Sequence, residues 1–264
     1  MEIFRSETAQ LVVLLSTRLT GLFLIGPLFS SRAVPMKVRA GLLVLLTFLL
    51  LPGAVTALDG AAPEPAGGMV GKLASEAVLG VTLGLGAALF IAAAESAGDT
   101  LAVQMGLSGA NVLDPSSGTQ MPVIGQFLGL FALALLLAVG AHLVILETLS
   151  ASVQALPPGR PLDLEAGVLA SVKMLGVQFL LGLRFAAPVV AAMMIGNAAL
   201  GIMAKTVPQL NVLMMAFPLH IGIGLVTLGI SLPLMAEYFG DWPAHYTELV
   251  DRALGSFLPV EGRP

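Results

Sequence analysis

VIGQFLGLFALALLLAVGAHLVIL, residues 123–146, contains no Asp, Glu, Lys or Arg. It follows directly on QMGLSGANVLDPSSGTQMP, residues 104–122, which is polar, rich in glycine and small residues, and carries one charge, Asp114. The hydrocarbon core of a bilayer, roughly 30 Å thick, is crossed by a helix of about 20 apolar residues, and residues 123–146 meet that length. The preceding stretch has neither the periodicity of a helix nor the alternation of a strand. Non-helical backbone at membrane depth must be sheltered in protein or line a watery cavity, because lipid offers it no hydrogen bonds. The pairing of these two stretches predicts an all-α integral membrane protein and makes the polar loop the first place to look for function.

Composition supports that reading across the whole chain. Of 264 residues, 57% are hydrophobic and 11% charged, with a mean hydropathy of +0.96. A soluble domain carries about 25% charged residues, so too little polar surface is present here to cover a soluble globule. The net charge of −4, without an extended basic cluster, argues against a nucleic-acid partner. With no cysteine, disulfides, thiolate metal sites and cysteine nucleophiles are excluded. Near the start, Glu2, Arg5 and Glu7 do not form the basic region of a signal peptide, and Arg18 interrupts the first apolar run, which is read as a mature helix.

About six apolar helical segments are predicted, at residues 11–29, 40–58, 77–94, 123–146, 174–203 and 207–236. The fifth contains Pro188 and the sixth Pro208, Pro218 and Pro233. Proline removes a backbone donor, so bent or broken helices and hairpins are expected there. Residues 59–76, rich in Pro, Gly and Ala, read as an exposed loop, and Pro157-Pro158-Gly159 as a turn. The basic connection Arg32, Lys37, Arg39 belongs in the cytoplasm by the positive-inside rule. Strict alternation then puts residues 95–122 there as well, although they carry Glu95, Asp99 and Asp114 and no Lys or Arg. Hairpins that do not fully cross would reconcile the two.

A membrane-embedded helical domain over residues 1–236 is thus followed by an amphipathic C-terminal tail over 237–264. In the tail, Tyr246, Leu249, Val250, Ala253, Leu254 and Phe257 repeat at helical spacing, with Asp241 placed to cap and Pro243 in the first turn. Glu248, Asp251 and Arg252 mark the opposite, net-acidic face, which favours a protein partner over anionic lipid. Trp242 and Tyr238 suit a membrane interface.

Catalytic patterns are weak. Gly106-Leu107-Ser108-Gly109 matches the short serine motif of intramembrane proteases, with His142 and His220 as the membrane-level bases. However, Ser108 stands in a polar loop and not at the start of a buried helix. Gly71-Lys72 is followed by Leu73, and Ala66 replaces the first glycine of a phosphate-binding loop. His142, His220 and His245 are isolated, so no metal site is expected. Arg18, Glu95, Asp99, Glu147 and Arg184 fall in or beside apolar segments; interhelical pairing or snorkelling is favoured over an ion pathway. Gly80 with Gly84, and Gly125 with Gly129, form small-residue faces for close helix approach. Met105 and Met121 bracket the polar loop, and pliable methionine suits a soft seal around varied polypeptide.

Three blocks carry a family resemblance. The first is Gly26-Pro27-Leu28-Phe29-Ser30-Ser31-Arg32-Ala33-Val34-Pro35, leading to Lys37 and Arg39. The second runs from Gly106-Leu107-Ser108 through Asp114-Pro115-Ser116-Ser117-Gly118-Thr119-Gln120-Met121-Pro122 to Gln126-Phe127-Leu128 and Gly140-Ala141-His142-Leu143. The third is Pro188-Val189-Val190, Asn197, Gly201, Lys205-Thr206-Val207-Pro208-Gln209-Leu210-Asn211 and Phe217-Pro218. In this order and spacing they cover most of residues 10–235, and the chain resembles the FliR/SctT family of type III export apparatus proteins, in its flagellar form more than its injectisome form.

The resemblance implies a non-enzymatic subunit without cofactor or metal, sited in the bacterial inner membrane at the flagellar basal body. It implies FliP and FliQ as partners in the export-gate core, FlhB alongside, and unfolded export substrates in transit. Its plug corresponds to residues 106–122 here, with Gly106, Ser108, Gly109, Asp114, Pro115, Gly118 and Pro122 in the loop and Met105 and Met121 at its ends. Pro188, Pro208, Gln209, Asn211 and Pro218 are expected at helix breaks and packing points. The competing reading is a secondary transporter whose proline-broken helices, with Asn197, Gln209 and Asn211, build a midplane site.

Overall fold

The computed structural model describes residues 6–30, 34–58, 68–107, 123–207, 209 and 212–258. All regular elements among them are helices: α1 (Ser6–Ile25), α2 (Pro27–Ser30), α3 (Met36–Leu58), α4 (Met69–Gln104), α5 (Val123–Ala138), α6 (Ala141–Ala155), α7 (Leu164–Thr206), α8 (Val212–Gly240) and α9 (Trp242–Gly255). Five are long and apolar enough to cross a membrane, and a sixth crossing results if the bent pair α5–α6 counts as one. This is the all-α membrane architecture expected.

Four details differ from the sequence reading. The apolar run 123–146 is not one helix, because Gly140 adopts φ 74° between α5 and α6. A left-handed residue there interrupts the helical ladder, and glycine takes that conformation without a Cβ penalty. Second, Pro188 lies inside α7, and Pro218 and Pro233 lie inside α8, yet both helices continue through them. Neighbouring helices and local adjustment can satisfy the backbone groups that proline leaves open. Third, α4 starts at Met69, so residues 69–76 are helix and not exposed loop. Fourth, at 1.5 Å per residue α4 is about 54 Å long and α7 about 65 Å, both well beyond one hydrocarbon layer.

The described residues divide into two compact units. The first comprises residues 1–89, 137–176 and 242–264. Its interior holds a buried ion pair: Arg18 Nε donates to Glu76 Oε2 at 2.6 Å, with both side chains 1% exposed. Arg18 Nη1 also donates to the carbonyl and hydroxyl oxygens of Ser152 (3.0 and 3.2 Å), and Nη2 to the Leu156 carbonyl at 2.8 Å. Glu76 Oε1 accepts the Gly159 N–H at 3.0 Å. One guanidinium fork therefore ties α1 to α4, to α6 and to the turn after α6. A fork with several fixed donors suits this better than a point charge would.

Around the pair, glycine lets backbones touch. A Cβ on Gly80 would collide with the Arg18 carbonyl, and one on Gly21 would stand 2.6 Å from the Ala77 carbonyl oxygen. The small-residue face of α4 thus has a named neighbour, α1. Helix α9 is amphipathic as expected, but its apolar face is covered by this chain's own first unit. Trp242, Tyr246, Val250 and Phe257 are all fully buried. The Trp242 and Tyr246 rings stack at 4.7 Å, and Val250 and Tyr246 close on Gly86. The Tyr246 hydroxyl donates to the Leu83 carbonyl at 3.2 Å, and burial, with Asp251 adding to it, pushes its ionisation up, keeping it a neutral donor. Neither a separate protein partner nor a membrane-interface position for Trp242 is needed to account for this face.

The second unit comprises residues 90–136 and 177–241. Here α4 crosses α5 through glycine: a Cβ on Gly98 would lie 2.6 Å from the Gly125 Cα. The exposed carboxylates Glu95 and Asp99, one turn apart on α4, lie over Gly129 and Gly125 of α5. Phe185 of α7 packs against Tyr238 and Phe239 of α8, at 5.5 and 5.9 Å between ring centroids.

Candidate functional site

Helix α4 ends where the polar loop begins, and its ending is well defined. The Leu107 N–H donates to the Ala102 carbonyl and the Gly106 N–H to the Val103 carbonyl, both at 3.0 Å, with Gly106 at φ 75°. This crossed pair around a left-handed glycine is a Schellman stop. Gly106, which in sequence reads as one of several flexible loop glycines, terminates a helix.

The stop is seated on α8. Met105 is fully buried, and its Cγ, Cε and Sδ would lie 2.5–2.8 Å from a Cβ on Gly224. Gly106 faces the Phe217 ring, whose edge atoms would lie 3.3 Å from a Cβ there. Phe217 and Gly224 are two turns apart and share a face of α8, so glycine at 224 makes the socket and phenylalanine at 217 its wall. Neither residue reads as functional in the sequence alone. Phe217 could be suspected only from its place beside Pro218.

Gly106→Ala is expected to destabilise this stop, since a left-handed L-residue costs roughly 1–2 kcal/mol and the new methyl crowds Phe217. Hydrogen exchange at the Gly106 and Leu107 amides should speed up by about tenfold. Exchange at the wild-type rate would show that the stop does not hold the loop's root.

The remaining sequence-derived residues are placed as follows. Ser108, Gly109, Asp114, Pro115, Gly118, Met121, Pro122, Pro208 and Asn211 lie outside the described residues. Gln209 is exposed in a turn; Pro188, Asn197 and Pro218 are exposed on their helices. His142 is exposed in the first unit, and His220 is half-buried on α8 in the second. Of the membrane-level charges, Arg18 is paired as described. The Arg184 guanidinium lies 5.3 Å from the Tyr238 ring centroid, a cation–π contact. Glu147 is exposed on α6. Glu76, the partner of Arg18, was hidden from sequence reading because it stands just outside the apolar run that begins at Ala77.

The family comparison bears on what such a loop is for. Residues 9–244 match the family described as bacterial export proteins, family 1. The chain belongs to this family. Among its relatives, the flagellar biosynthetic protein FliR of Pectobacterium carotovorum subsp. carotovorum is 34% identical over 224 residues, covering 84% of each chain. FliR of Escherichia coli K12 is 32% identical over 222 residues, again 84% of each. FliR of Bacillus subtilis 168 is 34% identical over 227 residues, 84% of this chain and 86% of its own. The export-family match takes in every element that carries the Met105–Gly224 seat and the Arg18 clasp, and it stops within α9.

Proposed function

We propose that this chain is the FliR-type subunit of a flagellar type III protein-export gate, and that residues 106–122 plug its channel. The observation that carries the reading is the export-family match over residues 9–244, which includes the entire polar loop. The similarity to FliR proteins of three different bacteria supports a flagellar setting. The chain has a structural role and catalyses no reaction. It sits in the bacterial inner membrane at the flagellar basal body, assembles with FliP and FliQ as the gate core, and stands beside FlhB. Unfolded export substrates pass through it.

The loop's root is fixed, and the small residues and glycines beyond it suit a plug that cargo displaces. Met105 is held in the Gly224 socket, and the Schellman stop at Gly106 sets the direction in which the chain leaves α4. Small residues and glycines then let residues 108–122 fold into the closed channel, with Asp114-Pro115 setting a turn and Met121 anchoring the far end. Passing polypeptide displaces the loop. The lengths of α4 and α7 fit an assembly in which apolar helix surface is covered partly by neighbouring subunits.

Purification in mild detergent tests the assignment. The chain should emerge in a large complex with other small membrane proteins of the gate. Recovery alone or as a homo-oligomer would favour a transporter. Ser108→Ala should leave export unchanged; loss of a proteolytic activity in that variant would contradict a non-enzymatic gate.

A further inference from the structure

Helix α7 is about twice as long as a bilayer core is thick, and its two halves differ in charge. The first half is punctuated by Glu165, Lys173 and Arg184. Residues 185–204 hold no Asp, Glu, Lys or Arg, and Lys205 ends that run. At 1.5 Å per residue the run is about 30 Å long, the thickness of the hydrocarbon layer. On α8 the matching run is residues 212–236, equally free of these charges, and Glu237 ends it. The two runs lie antiparallel. Arg184 and Phe185 meet Tyr238 at one end, and Ile223 closes on Gly196 further along. The second half of α7, with α8, therefore has the composition and length to cross the bilayer, and Arg184 with Tyr238 marks one edge of the crossing.

Arg184 is exposed there, and its guanidinium lies 5.3 Å from the Tyr238 ring centroid. Among the described residues it makes no hydrogen bond or ion pair. A ring face gives the guanidinium N–H groups no oxygen to donate to, so they still need acceptors. Tyrosine itself favours the headgroup level. Other charges share this level without pairing with Arg184. Ser96 of α4 lies against Gly182 of α7, which puts the exposed Glu95 and Asp99 within about one turn of it. Glu237, also exposed, precedes Tyr238.

We propose that Arg184, held against Tyr238, binds the phosphate of a zwitterionic phospholipid at the surface of the layer that α7 and α8 cross. A guanidinium fork offers paired N–H donors that match two phosphate oxygens. Phosphates stand at the edge of the hydrocarbon, which is where the uncharged runs of both helices meet Arg184 and Glu237. The carboxylates select the lipid class. Glu95, Asp99 and Glu237 outnumber Arg184 at this level, so a net-anionic headgroup gains little, whereas an ethanolamine headgroup brings its own cation. A carboxylate from a partner protein would add negative charge to a level that is already acidic.

The test uses the full chain in its purified complex, reconstituted into neutral galactolipid bilayers. A trace of probe lipid carries a photoactivatable group near its glycerol. With phosphatidylethanolamine as the probe, label should map to α7 between Leu180 and Pro188. It should fall about tenfold in Arg184→Gln, the loss of a hydrogen bond to a charged group. A diacylglycerol probe, which has no phosphate, should label the same stretch equally in both chains. Phosphatidylglycerol should label it less than phosphatidylethanolamine does. Unchanged phosphatidylethanolamine labelling in Arg184→Gln would overturn the proposal. So would an equal fall with both probes, because an exposed arginine that only holds phosphate leaves the helix pair intact. Capture of another protein by a photoreactive side chain in place of Arg184 would assign the site to a subunit contact and overturn it too.

Discussion

Arg18→Met is expected to destabilise this chain by roughly 3–5 kcal/mol, the usual cost of removing one partner from a buried ion pair. Glu76 would be left buried without its counter-charge, and the Leu156 carbonyl would lose the donor it now has, whereas the Ser152 carbonyl keeps the Leu156 N–H. An unsatisfied buried carbonyl adds about 1–3 kcal/mol. Arg18→Lys should recover only part of the loss, because an ammonium cannot span three elements at once. Removing both charges, in Arg18→Met with Glu76→Leu, should be milder than the single change, since apolar replacement of a whole buried pair is often tolerated. Thermal unfolding in detergent measures the ranking. A single Arg18→Met variant that melts with the unmodified chain would show that the clasp does not hold α1, α4 and α6 together.

Gly80→Leu should be as damaging by a different route. The new Cβ would run into the Arg18 carbonyl oxygen and lie 3.0 Å from the Leu22 N–H nitrogen, both backbone atoms that no rotamer change can move. Helix α1 must shift as a body. Overpacking of a core ordinarily costs about 1–3 kcal/mol, and here the shift also pulls Arg18 out of register with Glu76. Gly71→Leu is the control on the same helix, because nothing lies within 4 Å of its Cβ position. Steady-state level in the membrane should collapse for Gly80→Leu and stay unchanged for Gly71→Leu. Equal levels would mean that the α1–α4 crossing tolerates separation.

The fold was legible where hydrophobic length alone decides. The apolar runs mark the spans, and the glycines at 80, 84, 125 and 129 mark the crossings. They did not name the neighbours, which depend on long-range packing. Three features were misread for identifiable reasons. Gly140 carries a family-like block in the sequence but no sign of a break, and only its backbone conformation shows that it divides α5 from α6. Pro188, Pro218 and Pro233 read as bends or breaks, and the helices α7 and α8 run through them without a break. Glu76 sat beside Pro- and Gly-rich sequence, and was assigned to solvent although it is one half of the most buried ion pair described.

The candidate site was legible as a location and not as a mechanism of anchoring. A polar, glycine-rich stretch against a chargeless apolar run has few uses inside a membrane, which drew attention to residues 104–122. Met105 reads as a boundary in sequence, but its socket does not, because Gly224 is one of several glycines in α8 and lies more than 100 residues away. Gly106 reads as one more loop glycine in sequence, where the fold uses it as a helix stop. The C-terminal helix reads as amphipathic in sequence, and its apolar residues close on this chain's own Gly86 and Gly167, positions that carry no signal of their own.

Deletion of residues 109–117 tests the plug most directly, because it removes the body of the loop and keeps Met105, Gly106 and the seat on α8. Membranes carrying the assembled complex should become leaky to ions or small solutes, with subunit association intact. A leak rate unchanged from the full-length chain, in a complex that still assembles, would contradict the gate account.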